Sequence, residues 1–190
     1  MFTKATTLVH HWMEAHVEPG HYVVDATAGN GHDTMLLARC VGPDGHVVAM
    51  DIQPEAVEHT RARLQDAGLL DRCTLFAMSH GALAGVLSDD ILIDCAVFNL
   101  GYLPGSDKTV ITRPESTLQA HRWIVERLSP GGVLFSTVYT GHEGGQEEAD
   151  ALLEWSMGLD GRRYSVARHE WINQEGKPPF ILIIKQRSRG

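Results

Sequence analysis

Three cysteines in 190 residues, Cys40, Cys73 and Cys95, are too few and too scattered for a disulfide framework, and none forms a C-x-x-C pair. All three sit inside apolar segments and read as reduced core thiols of a cytosolic protein. No apolar run approaches the roughly 20 residues of a membrane span. The opening MFTKATTLVHHWMEAH lacks an apolar signal core followed by a small-residue cleavage site, so a cytoplasmic location with no membrane partner is expected. Repeats, linkers and low-complexity tracts are missing as well. Residues 1–190 are therefore read as one domain, long enough for a full α/β core.

Excess positive charge is also lacking. The chain holds 16 Lys+Arg against 24 Asp+Glu, a net charge of −8, which argues against a protein that coats nucleic acid. The imbalance is uneven: residues 1–95 hold 5 basic and 13 acidic side chains, residues 96–190 hold 11 of each. The second half is locally basic, with Arg113, Arg122, Arg127, Arg162, Arg163, Arg168, Lys177, Lys185, Arg187 and Arg189. That asymmetry permits an RNA held at one edge without demanding it.

What is present is concentrated in one stretch. Tyr22-Val23-Val24-Asp25 is an apolar strand running into the turn Ala26-Thr27-Ala28-Gly29-Asn30-Gly31 and then a helix. A second strand, His46–Met50, ends on Asp51, about twenty positions beyond Gly31, the spacing at which an acid takes ribose hydroxyls. The turn is not G-x-G-x-x-G, because Thr34 occupies the third glycine position. Asp25 before the turn and Asp33 in the first helical turn would face a pyrophosphate with negative charge. The acids suit a cationic donor instead, and S-adenosylmethionine carries both a sulfonium and an ammonium. Asp33 has an ordinary alternative role as a helix N-terminal acid. The coincidence of three acids favours the cofactor.

The remaining chain alternates strands and helices. A leading helix spans 3–16, with Leu8, Val9, Trp12 and Met13 along one side. Helices are expected near 31–41, 54–67, 80–87, 114–128 and 145–157. Strands are expected near 21–27, 46–52, 73–78, 95–100, 133–139, 165–173 and 180–186. Ser129-Pro130-Gly131-Gly132 is read as the stop after the helix near 114–128. Alternation implies right-handed crossovers and a parallel sheet. The last two strands, with only Gln174–Pro179 between them, form an antiparallel hairpin. This α/β arrangement of seven strands resembles the Rossmann-like order of class I methyltransferases.

In such a sheet Asn99 emerges beside the cofactor's methyl group. Asn99-Leu100-Gly101-Tyr102 resembles the N-P-P-Y loop of amino-methylating enzymes, with Leu100 and Gly101 in place of the prolines. An amine attacks only when neutral, so Asn99 would accept from its NH₂ and aim the lone pair, while Tyr102 packs on a planar base. Gln53, Ser79 and His80 are further cofactor candidates. Lys108, Arg113 and His142 are candidates for the substrate side, His142 as a base titrating near neutral pH. His10 and Glu14 are four apart on a helix, but without further ligands at zinc spacing no metal is expected.

DATAGNGHDT, MDIQ, NLGYLPGSDK with ITRPEST, and YTGHEGGQEE, in this order, resemble one bacterial family of rRNA-methylase-like proteins. The family includes the tRNA methyltransferase that completes 5-methylaminomethyl-2-thiouridine at the wobble position. The resemblance covers almost the whole chain. It implies methyl transfer from S-adenosylmethionine to the amine of 5-aminomethyl-2-thiouridine in the tRNA anticodon, by a homodimer. By position it implies that Asn30, Asp33, Asp51, Gln53 and His80 contact the cofactor and that Asn99 and Tyr102 border the amine. The residues themselves leave an rRNA or a small amine open as acceptor. A cofactor-binding protein without transfer activity is the remaining alternative.

Overall fold

A computed structural model describes residues 4–101 and 112–188. Valine-rich runs build the centre of one seven-stranded sheet. Its strands are β1 (Tyr22–Asp25), β2 (His46–Asp51), β3 (Cys73–Ala77), β4 (Ile93–Leu100), β5 (Leu128–Val138), β6 (Tyr164–His169) and β7 (Phe180–Gln186). Their order is β3-β2-β1-β4-β5-β7-β6. β1 to β5 are parallel, and β7 is antiparallel to both β5 and β6. The expected parallel sheet with a closing hairpin is what forms, with β7 inserted between β5 and β6.

Because successive strand residues face opposite sides, a sheet covered on both faces needs continuous apolar runs. Val23, Val47, Cys95 and Val97 pack on one side with α1 (Ala5–His16), α2 (His32–Cys40) and α3 (Pro54–Asp66). Val24, Val48, Ala96 and Phe98 pack on the other with α4 (Pro114–Glu126) and α5 (Gly145–Met157). The helices after β1 and β4 therefore leave on opposite faces. The carboxyl ends of these neighbouring strands diverge there and open a crevice.

α1 buries Ala5, Val9 and Met13 at a spacing of four, and Leu8 and Trp12 pack partly against the same core. Two short 3-10 turns, Leu70–Arg72 and His80–Gly85, complete the described elements; the first was not expected and the second replaces a short helix.

The expected start of the fifth strand at Val133 is corrected to Leu128. Leu128 pairs with Ile93, and pairing resumes between Cys95 and Val133, so Asp94 alone faces residues 129–132. Leu128 is buried and Ile93 N donates to Arg127 O at 2.8 Å, which draws the ladder past the turn. The Ser-Pro-Gly-Gly break is absorbed as a bulge, where proline's missing N–H costs nothing. Asp94 closes it by accepting from Ser129 Oγ at 2.6 Å and Tyr22 N at 2.9 Å.

Candidate active site at the β1–β4 crevice

The turn after β1 is held from behind by α3. Gly31 has φ +76, and a Cβ there would lie 2.9 Å from the Thr60 Cα, so only glycine fits. Thr60 Oγ1 donates to Gly29 O at 3.2 Å and Arg63 Nε to Asn30 O at 2.8 Å. The turn's own amides are largely occupied. Ala28 N donates to Met50 O, Gly31 N to Ala28 O, and Gly29 N to Asp51 Oδ2, each at 2.8 Å. A pyrophosphate cradle needs such amides unengaged, so the missing third glycine has a counterpart in three dimensions.

The three acids take different places. Asp51 lines the crevice, its Oδ1 accepting from Gln53 N at 2.9 Å while each oxygen keeps a second lone pair for a ligand. Asp33 also lines it. Asp25 does not. It is fully buried beneath the turn, accepting from Thr34 Oγ1 at 2.6 Å and Thr27 N at 3.1 Å. Burial, and next the charge of Asp33, push its carboxyl up to about 7. Asp25 therefore shapes the turn from below, and of the three acids Asp33 and Asp51 line the crevice.

Asp33 is gripped on both oxygens. His10 Nε2 is 2.6 Å from Oδ1, and Asn99 Nδ2 donates to Oδ2 at 2.7 Å. A carboxylate only accepts, so the Asn99 nitrogen must face Asp33 and the Asn99 oxygen is left to accept from a ligand. Asn99 N is itself fixed by Thr27 Oγ1 at 2.7 Å. The Asp33 hydrogen bond raises the pKa of His10 against the opposing effect of burial.

The crevice encloses about 640 Å³, within the range of small-molecule sites. It brings together Asn30, Asp33, Asp51, Gln53, Ser79, His80, Asn99 and Arg113 of the expected set. Ser79 caps the turn behind it, accepting from Gly81 N at 3.3 Å. His80 is buried, with its pKa lowered to about 4 by that burial, so it stands in the wall as neutral imidazole. Gly31 supports the wall from outside. His142 is beside it: a Cβ on Gly101 would lie 3.6 Å from its Nε2, and its Nδ1 pairs with Glu143 O at 2.9 Å. Tyr102 and Lys108 lie outside the described residues.

Tyr139, which opens the loop after the fifth strand, also lines the crevice, and sequence reasoning missed Thr6, His10 and Ile52 there. Thr6 and His10 are one turn apart on α1, each following a buried residue of the 5-9-13 series. That register was the available signal. The basic residues Arg162, Arg163 and Arg187 lie elsewhere. Arg187 N donates to Arg163 O at 2.8 Å, near Tyr164 paired with Gln186, at the end of the sheet opposite the crevice. Among described residues the cation at the crevice is Arg113.

The sequence pattern described as "Putative rRNA methylase" matches residues 47–185. The chain belongs to the rRNA-methylase family. A chloroplastic tRNA (mnm(5)s(2)U34)-methyltransferase of Arabidopsis thaliana is 34% identical over 193 aligned residues, covering 97% of this chain and 70% of that protein. The solved structure of a "putative rRNA-methylase" from Clostridium thermocellum superposes with TM-score 0.94 at 36% identity, over 98% of this chain and 99% of that one. A "putative methyltransferase" from Streptococcus mutans, solved in complex with SAH, gives 0.87 at 33% identity over 98% and 99%. This rRNA-methylase family member is an S-adenosylmethionine-dependent methyltransferase of class I fold.

The residues fit that cofactor. Asp33 and Asp51 line the crevice with negative charge, which suits a cofactor carrying a sulfonium and an ammonium, and the occupied turn amides leave little for a phosphate-rich nucleotide. Among the described residues no helix is long and apolar enough to cross a membrane, and no group of three His, Cys, Asp or Glu is placed to hold a metal. His10 turns to Asp33, away from the metal pairing considered with Glu14. Burial raises the Cys73 thiol to about 11 and pushes Cys95 up as well, so neither is a ready nucleophile.

Proposed function

We propose that this protein methylates the exocyclic amine of 5-aminomethyl-2-thiouridine at the wobble position of tRNA, giving 5-methylaminomethyl-2-thiouridine. The observation that carries the reading is the orientation of Asn99. Its nitrogen is tied to Asp33, so its oxygen is the acceptor offered at the carboxyl end of β4. An acceptor there suits a donor-rich NH₂ group. The near full-length likeness to the Arabidopsis wobble methyltransferase supports a tRNA acceptor over other amines.

In this reading Asp51 accepts from the ribose hydroxyls, with Gln53, Ser79 and His80 bordering the adenosine. Asn30 and Asp33 face the methionine end, with Gly31 permitting the close turn. Asn99 and Tyr102 hold the amine. Lys108, Arg113 and His142 belong to the substrate side. The cofactor supplies a methyl group on positively charged sulfur, and the protein's share of catalysis is mostly orientation, worth about 7–11 kcal/mol at best. The anticodon region of tRNA is the partner. One domain over 1–190, a homodimer and a cytoplasmic location complete the proposal, the homodimer through the family resemblance alone.

The test is nucleoside mass spectrometry after incubation with labelled cofactor and total tRNA or rRNA from cells lacking the gene. Label in 5-methylaminomethyl-2-thiouridine is the expected result. Label confined to rRNA would replace this reading with an rRNA methylase, and label in neither would favour a small amine.

A further inference from the structure

The substrate amine brings a difficulty that Asn99 does not solve. A primary alkylamine resembling that of lysine, with a pKa of about 10.4, is neutral in roughly one molecule in 2,500 at pH 7. A protonated amine has no lone pair for the methyl carbon. Some group in the crevice must take its proton.

We propose that His10 is that group, a catalytic base held in one tautomer by Asp33. This rests on the amine reading above. The Asp33 carboxylate only accepts, so the ring nitrogen 2.6 Å away, Nε2, carries the hydrogen, and Nδ1 is left with the lone pair. The same Asp33 orients Asn99, so the proton acceptor and the amine acceptor are locked to one carboxylate across α1, α2 and β4. His10 also lines the crevice, and its side chain is 34% exposed, against 12% for Asp33. It therefore has both a route to the substrate and a route to water.

The step balances. His10 Nδ1 takes one proton from the substrate ammonium and becomes imidazolium, with Nε2–H still donated to Asp33. The neutral amine forms the N–C bond as the C–S bond breaks, its electron pair staying on sulfur. The product is a secondary ammonium and a neutral thioether, and the imidazolium returns its proton to solvent. The groups acting on His10 suit a base. Asp33 on α2, Glu14 on α1 and Asp25 at the end of β1 all favour its protonated form. His32, Arg113 and His80 line the same crevice, and His80 stays neutral in its wall.

The test uses His10→Gln, which can still donate to Asp33 and cannot titrate. The acceptor is an anticodon stem-loop RNA carrying 5-aminomethyl-2-thiouridine. Single-turnover methylation at pH 7 should fall about a hundredfold or more, and the gap to the unaltered protein should narrow towards pH ~9, where free amine becomes available. SAH affinity by calorimetry should stay within about threefold. Unchanged rate and pH profile would overturn the proposal. So would a pH-independent loss that tracks a loss of SAH affinity, which would make His10 a cofactor ligand. Nitrogen-15 NMR of the SAH complex reads the pair without any acceptor. The ring should be the Nε2–H tautomer with a midpoint above that of free histidine, falling in Asp33→Asn. An Nδ1–H tautomer sinks the proposal. If the unaltered protein ignores this RNA, the substrate reading fails and NMR alone decides on His10.

Discussion

Asn99 Nδ2 donates to Asp33 Oδ2 at 2.7 Å, joining the end of β4 to the first turn of α2 across 66 residues of chain. The contact ties the side chain proposed for the amine to the acid proposed for the cofactor's charge. Disturbing either should therefore separate turnover from binding in a characteristic way.

Asn99→Ala is expected to lower kcat by about a hundredfold, the scale of a small misplacement of reacting groups. SAH affinity should change little, since Asp33 keeps its contact with His10. Titration calorimetry beside a transfer assay checks this. Equal losses in both would make Asn99 a structural residue.

Asp51→Ala should weaken cofactor binding by about 1.5–3 kcal/mol, the value of hydrogen bonds to a charged group, or roughly 10- to 150-fold in Kd. Part of that comes through Gly29 N and Gln53 N, which lose their acceptor. Asp51→Asn retains one accepting oxygen and should fall between the two. Calorimetry with SAH gives all three numbers, and an unchanged Kd in Asp51→Ala removes this residue from the site.

Gly31→Ala sets a side chain at φ +76 and against the backbone of Thr60, which cannot rotate away. The left-handed conformation alone costs about 1–2 kcal/mol. A Tm lower by at least ~2 °C is expected at this chain length. Cofactor binding should weaken in parallel, because the turn cannot keep its shape. Thermal scans with and without SAH measure both.

His121 makes stability fall in acid. Its ring is fully buried, Nδ1 donating to Thr117 O at 2.8 Å and Nε2 accepting from Ser136 Oγ at 2.8 Å, and burial lowers its pKa to about 3. The unfolded chain binds a proton near 6.5 that the folded chain refuses, so stability present above 6.5 is lost as pH falls towards 3. The slope is ~1.4 kcal/mol per pH unit for this one proton. His121→Gln should be less stable at pH 7 and show a shallower acid decline, read from urea midpoints at pH ~5 and ~7.

Much of the architecture was legible because each element carried its own local signal. Val23-Val24 and Val47-Val48 are β-branched and apolar on consecutive positions in short runs, as a strand covered on both faces requires. Pro54 and Pro114 stand at the first positions of α3 and α4 as their geometry requires. The β5 boundary was misjudged for a related reason. Ser-Pro-Gly-Gly is a genuine local break, and the neighbouring β4 overrides it by pairing Ile93 with Leu128.

The site divided along the same line. Asp51 and Asn99 sit at strand ends and Asn30 and Asp33 on the turn and helix start that follow β1, and these positions in a doubly wound sheet converge on the crevice. His10 precedes the sheet on a separate helix, where its neighbours in sequence say only that it flanks a buried stripe. Asp25 looked equal to Asp33 and Asp51 in the sequence, yet Thr34 and Thr27 take up its oxygens below the turn.

From its sequence alone the chain determined which segments are strands and helices, its glycine turn and its choice of a cationic donor over a dinucleotide, since these follow from hydrophobic period, backbone freedom and charge close along the chain. Tertiary structure decided that Asp25 is internal, that His10 and Asn99 share Asp33, and that the arginine cluster lies away from the crevice. Those relations depend on which strand ends and helix faces meet. Contacts between distant residues are set by packing, and no local pattern carries them.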